Sequence, residues 1–177
     1  MSDWRRAGGL LVAATLLLAS PVQCWAATNV EQQFAGALTE MPQGEPDVSG
    51  SFYIPAYSSV TMSQGKLRAD FSVTLSIHNT SESKPLVLKR IAYFDGNGKL
   101  VENYLKRPIA LKPFATVEVY VSEADIRAGT GANFIVDWAA VGAIAEPVTE
   151  ALMFGSIGAG HYAFISQGRP IRITGGK

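Results

Sequence analysis

One cysteine, Cys24, and two histidines, His78 and His161, are all that 177 residues offer of the side chains on which disulfides, thiol nucleophiles and most transition-metal sites depend. Long hydrophobic runs are also scarce. The apolar run at residues 10–19 is about half of the roughly 20 residues that a membrane-spanning helix needs. Charge of one sign is missing as well, with 15 basic residues balanced by 15 acidic ones. A chain so balanced has no electrostatic reason to bind nucleic acid or an anionic membrane surface.

The first 26 residues read as a secretory signal peptide. Arg5 and Arg6 form a positive start, the apolar run follows, Pro21 breaks it, and Cys24 and Ala26 place small residues at −3 and −1 of a cleavage site. Gln23 stands where lipoprotein cleavage wants a small residue, so Cys24 does not read as a lipid anchor. The expected location is the periplasm or the outside of a bacterial cell, with membrane contact only through the signal peptide before cleavage. Cleavage would remove Cys24, Arg5, Arg6 and Asp3, leaving 13 basic and 14 acidic residues and no cysteine. About 150 residues then remain, enough for one well-cored domain. Residues 27–48 are polar and rich in Gly, Pro and Gln, which predicts a flexible leader without a strand.

What is abundant is alternation. Over residues 67–79, Leu67, Ala69, Phe71, Val73, Leu75 and Ile77 fall on one face, with Arg68, Asp70, Ser72, Thr74, Ser76 and His78 on the other. That period of two predicts a half-buried strand. The same reading gives strands near 51–62, 86–94, 100–105, 116–121, 133–139, 150–154 and 162–166. Asp95-Gly96-Asn97-Gly98 predicts a tight hairpin, and 122–128 a helical turn capped by Ser122. Short strands at this spacing without a long helix predict an all-β fold, an immunoglobulin-like antiparallel sandwich of seven to nine strands spanning 49–177.

No catalytic constellation emerges. Asp95-Gly96-Asn97-Gly98 resembles a calcium loop, but the twelfth position holds Lys106 where a bidentate acid is needed. The glycine-rich stretch 155–160 precedes a strand-like run and lacks the Gly-Lys-Ser/Thr triplet of a phosphate loop. A blue-copper site would need a cysteine beside two histidines. A pair of histidines with Met62 or Met153 has the ligand types but no ligand spacing. A serine nucleophile has no strand-turn-helix elbow to sit on, and Glu123 and Asp125 read as a solvated turn. No catalytic residue, metal ligand or cofactor is therefore nominated. Residues 84–112 are mainly basic and 113–150 mainly acidic, which predicts either two faces of opposite charge or strands that pair across the sheet.

Three stretches carry a family resemblance: Leu75-Ser76-Ile77-His78-Asn79-Thr80, then Tyr93-Phe94-Asp95 with Gly98-Lys99-Leu100-Val101, and residues 129–138, Gly-Thr-Gly-Ala-Asn-Phe-Ile-Val-Asp-Trp. Over residues 51–171 the chain resembles a bacterial family of exported proteins, domain of unknown function 3124. The resemblance implies an envelope location and supplies no catalytic residues. In the last stretch Phe134, Val136 and Trp138 share one face and should anchor the core. If a ligand site exists, Gly131, Asn133 and His161 are its candidates, because sandwich folds bind at their end loops. The function expected is a non-enzymatic binding or scaffolding module with an envelope protein or glycan as partner. The alternative is a small-ligand or metal-binding domain, catalytic or not, that uses loop residues around His161.

Overall fold

The computed structural model describes residues 29–175; the expected signal peptide lies outside them. Along the chain come a single helical turn α1 (Val30–Gln33) and strands β1 (Leu38–Thr39), β2 (Val48–Pro55), β3 (Ser59–Met62), β4 (Leu67–Asp70), β5 (Ser72–His78), β6 (Leu86–Phe94) and β7 (Leu100–Asn103). They are followed by β8 (Ile109–Leu111), β9 (Thr116–Val121), β10 (Asn133–Ala140), β11 (Val148–Ile157), β12 (Gly160–Gln167) and β13 (Arg169–Thr174).

A seven-stranded sheet runs β1-β8-β6-β10-β2-β13, with β7 added beside β6, and a four-stranded sheet runs β12-β11-β5-β9. All pairs are antiparallel. One core fills the space between the sheets. Phe52, Ile54, Ile91, Tyr93, Phe134, Val136 and Trp138 enter it from the larger sheet, and Val73, Leu75, Ile77, Val117, Val119, Ala151 and Met153 from the smaller. The protein is an all-β antiparallel sandwich, as its alternation predicts. Phe134, Val136 and Trp138 are its central anchors, each at most 1% exposed.

The strands are more numerous than the eight expected. Alternation over 67–78 persists without interruption, but the backbone changes partner at Phe71, whose N–H donates to Ser58 O at 2.9 Å. Before it β4 pairs with β3, and after it β5 pairs with β9 and β11. Side-chain period reports which face a residue occupies, not which strand it bonds. Leu67 ends up 41% exposed because the β3–β4 hairpin leaves the core there. The turn expected at 122–128 is present without a helix: Asp125 N–H donates to Ser122 O, and Arg127 folds back onto Asp125.

Residues 30–39 contradict the expectation of no strand in 27–48. Asn29 caps α1 by accepting the N–H of Glu31. Val30 is 2% exposed, Phe34 and Leu38 pack on the core, and β1 pairs with β8. Three large apolar side chains spread over nine residues are too sparse to show a period, yet they suffice to seat the segment. It covers the β9 side of the sandwich, where α1 lies against β9.

Candidate functional site

At the loop end that holds Gly131 and Asn133 two backbones meet at the surface. Gly131 lies against Gly96 so tightly that a Cβ at 131 would come 2.7 Å from Gly96 Cα, so these two glycines are required by close approach of two backbones. Asn133 opens β10 opposite Phe94 and Pro55, and its Nδ2 donates to Gly131 O at 3.4 Å. Ser58 Oγ donates to Gly129 O at 3.1 Å. Asp95 Oδ1 accepts the N–H groups of Asn97 and Lys99, and Gly98 has φ 78°, so 95–98 is the expected hairpin turn.

Beneath this end lies an aromatic cluster. The Tyr93 ring stacks on Phe134 at 4.7 Å, and Tyr104 leans on Phe134 at 6.2 Å. Burial pushes the Tyr93 phenol up to about 12 and holds Tyr104 higher still. Outside them, Arg127 grips both carboxylate oxygens of Asp125, at 2.8 and 2.6 Å, and its Nη1 reaches Glu102 at 4.0 Å. The hydrogen bonds from Arg127 hold Asp125 below the usual carboxylate range. A carboxylate so engaged is a fixed anion in an ion pair, unsuited to exchanging protons near neutral pH.

His161 lies on β12 opposite Ser156, its ring parallel to that of Phe154 at 6.2 Å. No hydrogen bond links it to Gly131 or Asn133 among the described residues. His78 sits on β5 with Nδ1 2.8 Å from Thr116 Oγ1. The two histidines flank β11 at Val148 and Ser156, positions that roughly 27 Å of strand separates. They do not meet, and Met153, fully buried, faces neither. Among the described residues no group of three or more His, Cys, Asp or Glu is placed to hold a metal.

The outer surface of the larger sheet is stapled by charge. Asp137 stands directly between Ser51 and Arg90 on neighbouring strands. It accepts from Arg90 Nε at 2.7 Å and from the Ser51 hydroxyl, while Arg172 donates to Ser51 Oγ at 2.8 Å. This chain ties β13, β2, β10 and β6 together. The basic segment and the acidic segment of the sequence therefore partly pair across strands, as Arg90 and Asp137 do. They also partly separate, since Glu118 and Glu150 lie on the outer surface of the smaller sheet.

That smaller sheet presents a feature left without an internal role. One row crosses all four of its strands: Ile165, Leu152, Thr74 and Tyr120 stand opposite one another in turn. Beside it Phe154 faces Ala163. Ile165, Leu152, Phe154 and Tyr120 are 58%, 42%, 52% and 59% exposed. On the other side of the row runs Gln167, Glu150, Ser76 and Glu118. The result is an apolar strip with an acidic border. Edge strand β12 adjoins it, and a shallow cleft lined by Glu150, Ile165, Gln167, Gly168 and Arg169 opens where the chain crosses from β12 to β13.

The family model for proteins of unknown function (DUF3124) matches residues 49–171, which is the sandwich from β2 into β13. The chain belongs to this family. Searched against curated proteins, this DUF3124 chain finds no match. A crystal structure of Thermotoga maritima 1070 is similar at 13% identity over 68% of this chain and 92% of that one, with a TM-score of 0.41.

Sequence reasoning did not single out Leu152, Phe154, Ile165 or Tyr120. A signal was present: β11 carries Leu152 and Phe154 on one face and Ala151 and Met153 on the other, apolar on both sides of a strand that packs on a core with only one.

Proposed function

We propose that the protein is an exported, non-enzymatic binding module of the bacterial cell envelope that holds a protein partner on the outer surface of the β12-β11-β5-β9 sheet. The observation that carries the reading is the apolar strip of Ile165, Leu152, Phe154 and Tyr120, large exposed side chains gathered on one face. A few side chains carry most of the binding energy at protein interfaces, tyrosine prominent among them, and the apolar neighbours exclude water around them. The acidic border from Glu150 and Glu118 selects a partner whose apolar contact surface is rimmed by lysine or arginine. Export rests on the signal-peptide pattern of residues 1–26. The test is crosslinked capture from the native envelope fraction with wild type and Leu152→Ser/Phe154→Ser as baits. The reading expects a reproducible partner on the wild type and its loss on the double variant. A partner held equally by both would place binding elsewhere on the molecule.

A further inference from the structure

The two sheets end side by side at one flank of the sandwich, in β12 and β13, and the two edges differ in how they are protected. Strand β13 carries Arg169, Pro170 and Arg172, and its pairing with β2 shifts register between Pro170 and Arg172. Charge, proline and a bulge are the devices by which edge strands avoid pairing with other chains. Strand β12 has none of them. Its eight residues, Gly160–Gln167, contain no charged residue and no proline, and it pairs in unbroken register with β11 on one side only. Every second residue therefore turns an N–H and a C=O to the open side. At the opposite flank the single turn α1 lies against β9.

We infer that β12 pairs antiparallel with β12 of a second copy of this chain, joining two four-stranded sheets into one of eight strands. The sequence of the strand supplies the self-complementarity that a two-fold interface requires. A two-fold axis at Phe164 sets Ala163 opposite Ile165, Tyr162 opposite Ser166, and His161 opposite Gln167. Small faces large in the first two pairs, polar faces polar in the third, and no position sets like charges together. The pairing also brings the two apolar strips edge to edge through Ile165, doubling the surface assigned above to a protein partner. The inference rests on that reading only for this last consequence. A strand-to-strand contact buries roughly a few hundred Å² per copy, below the ~800 Å² of a standard interface, so the dimer is concentration-dependent.

The test is sedimentation equilibrium on the purified protein and on two charge variants at the exposed positions 161 and 167. The wild type should dimerise reversibly. His161→Lys/Gln167→Lys sets lysines opposite each other at both ends of the pairing and should weaken the dimer by at least about tenfold. His161→Glu/Gln167→Lys sets opposite charges together across the pairing while keeping the lysine at 167 opposite Glu150 within the sheet, and should restore wild-type affinity or better, with melting temperatures alike in the two variants. A wild type that stays monomeric at its highest soluble concentration overturns the inference. So does a dimer indifferent to the two lysines, or one weakened equally by both variants. Partner capture by the Lys/Lys variant separates the two claims. If it still captures the partner while monomeric wild type shows no dimer, self-pairing alone fails; if Leu152→Ser/Phe154→Ser captures normally while dimerisation holds, the partner surface alone fails.

Discussion

Asn79 should be among the most costly polar side chains to remove, although it belongs to no candidate site. It follows His78 at the end of β5, is 1% exposed, and ties together three segments. Its Nδ2 donates to Lys84 O and Lys112 O, both at 2.9 Å, with Leu111 O at 3.3 Å, and its Oδ1 accepts the N–H of Ser81 at 3.0 Å. Lys112 O keeps a second donor in Ala115 N–H. Asn79→Ala therefore strands chiefly the Ser81 N–H and the Lys84 carbonyl. At about 1–3 kcal/mol for each buried group left unpaired, the loss is about 3 kcal/mol. For a domain of this size that lowers the melting temperature by roughly 6–12 °C. Asn79→Asp should cost more at neutral pH, because it points a carboxylate at three carbonyls. The introduced carboxyl would have a folded pKa above its unfolded value of about 3.9, so stability falls as pH rises past that value and recovers on acidification. Thermal unfolding followed by circular dichroism at pH 4 and pH 7 reads both effects. A loss under 1 kcal/mol for Asn79→Ala, or an Asn79→Asp deficit that does not shrink at pH 4, would refute the reasoning.

Gly131→Ala should destabilise by about 1–3 kcal/mol, since its Cβ would meet the backbone of Gly96, while Asn133→Ala, which gives up one bond of 3.4 Å, should stay within about 0.5 kcal/mol; urea titration separates them. Tyr93 and Tyr104 are raised by burial, so the stability they supply is full below the free phenol value near 10 and is lost as pH climbs toward and past 12. Ultraviolet titration should show a late-ionising component that Tyr93→Phe and Tyr104→Phe each reduce. Val30→Ser, at a site 2% exposed, should lower the melting temperature measurably by unseating α1; an unchanged value would mean that the segment contributes nothing.

Much of the fold was legible from residues alone, and the misses have definite causes. Residues 116–121 coincide with β9 because alternation shows its face, and residues 86–94 with β6 because a long apolar run is bounded by turn residues. The Asp95–Gly98 hairpin was readable because its chemistry is local. Strands β1 and β8, of two and three residues, exist because a neighbour supplies the hydrogen bonds, and no period can appear over so few positions. Strand β13 is exposed throughout and holds a proline, so neither burial nor propensity marks it. Of the candidate loop residues, Gly131 and Asn133 sit together beside the 95–98 hairpin while His161 lies on β12, a separation that depends on pairing no local pattern encodes. The apolar strip was hidden because exposed and buried hydrophobics alternate in β11 with the same letters, and only the second sheet decides which face is covered.

The most direct test of a partner-binding sheet face is the capture experiment run quantitatively, with the partner's affinity measured against wild type, Leu152→Ser/Phe154→Ser and, as a control on the opposite sheet, Arg90→Gln. The account predicts that affinity falls at least tenfold, roughly 1.4 kcal/mol, for the double variant and is unchanged for Arg90→Gln. Equal binding by all three proteins, or a loss confined to Arg90→Gln, would contradict it.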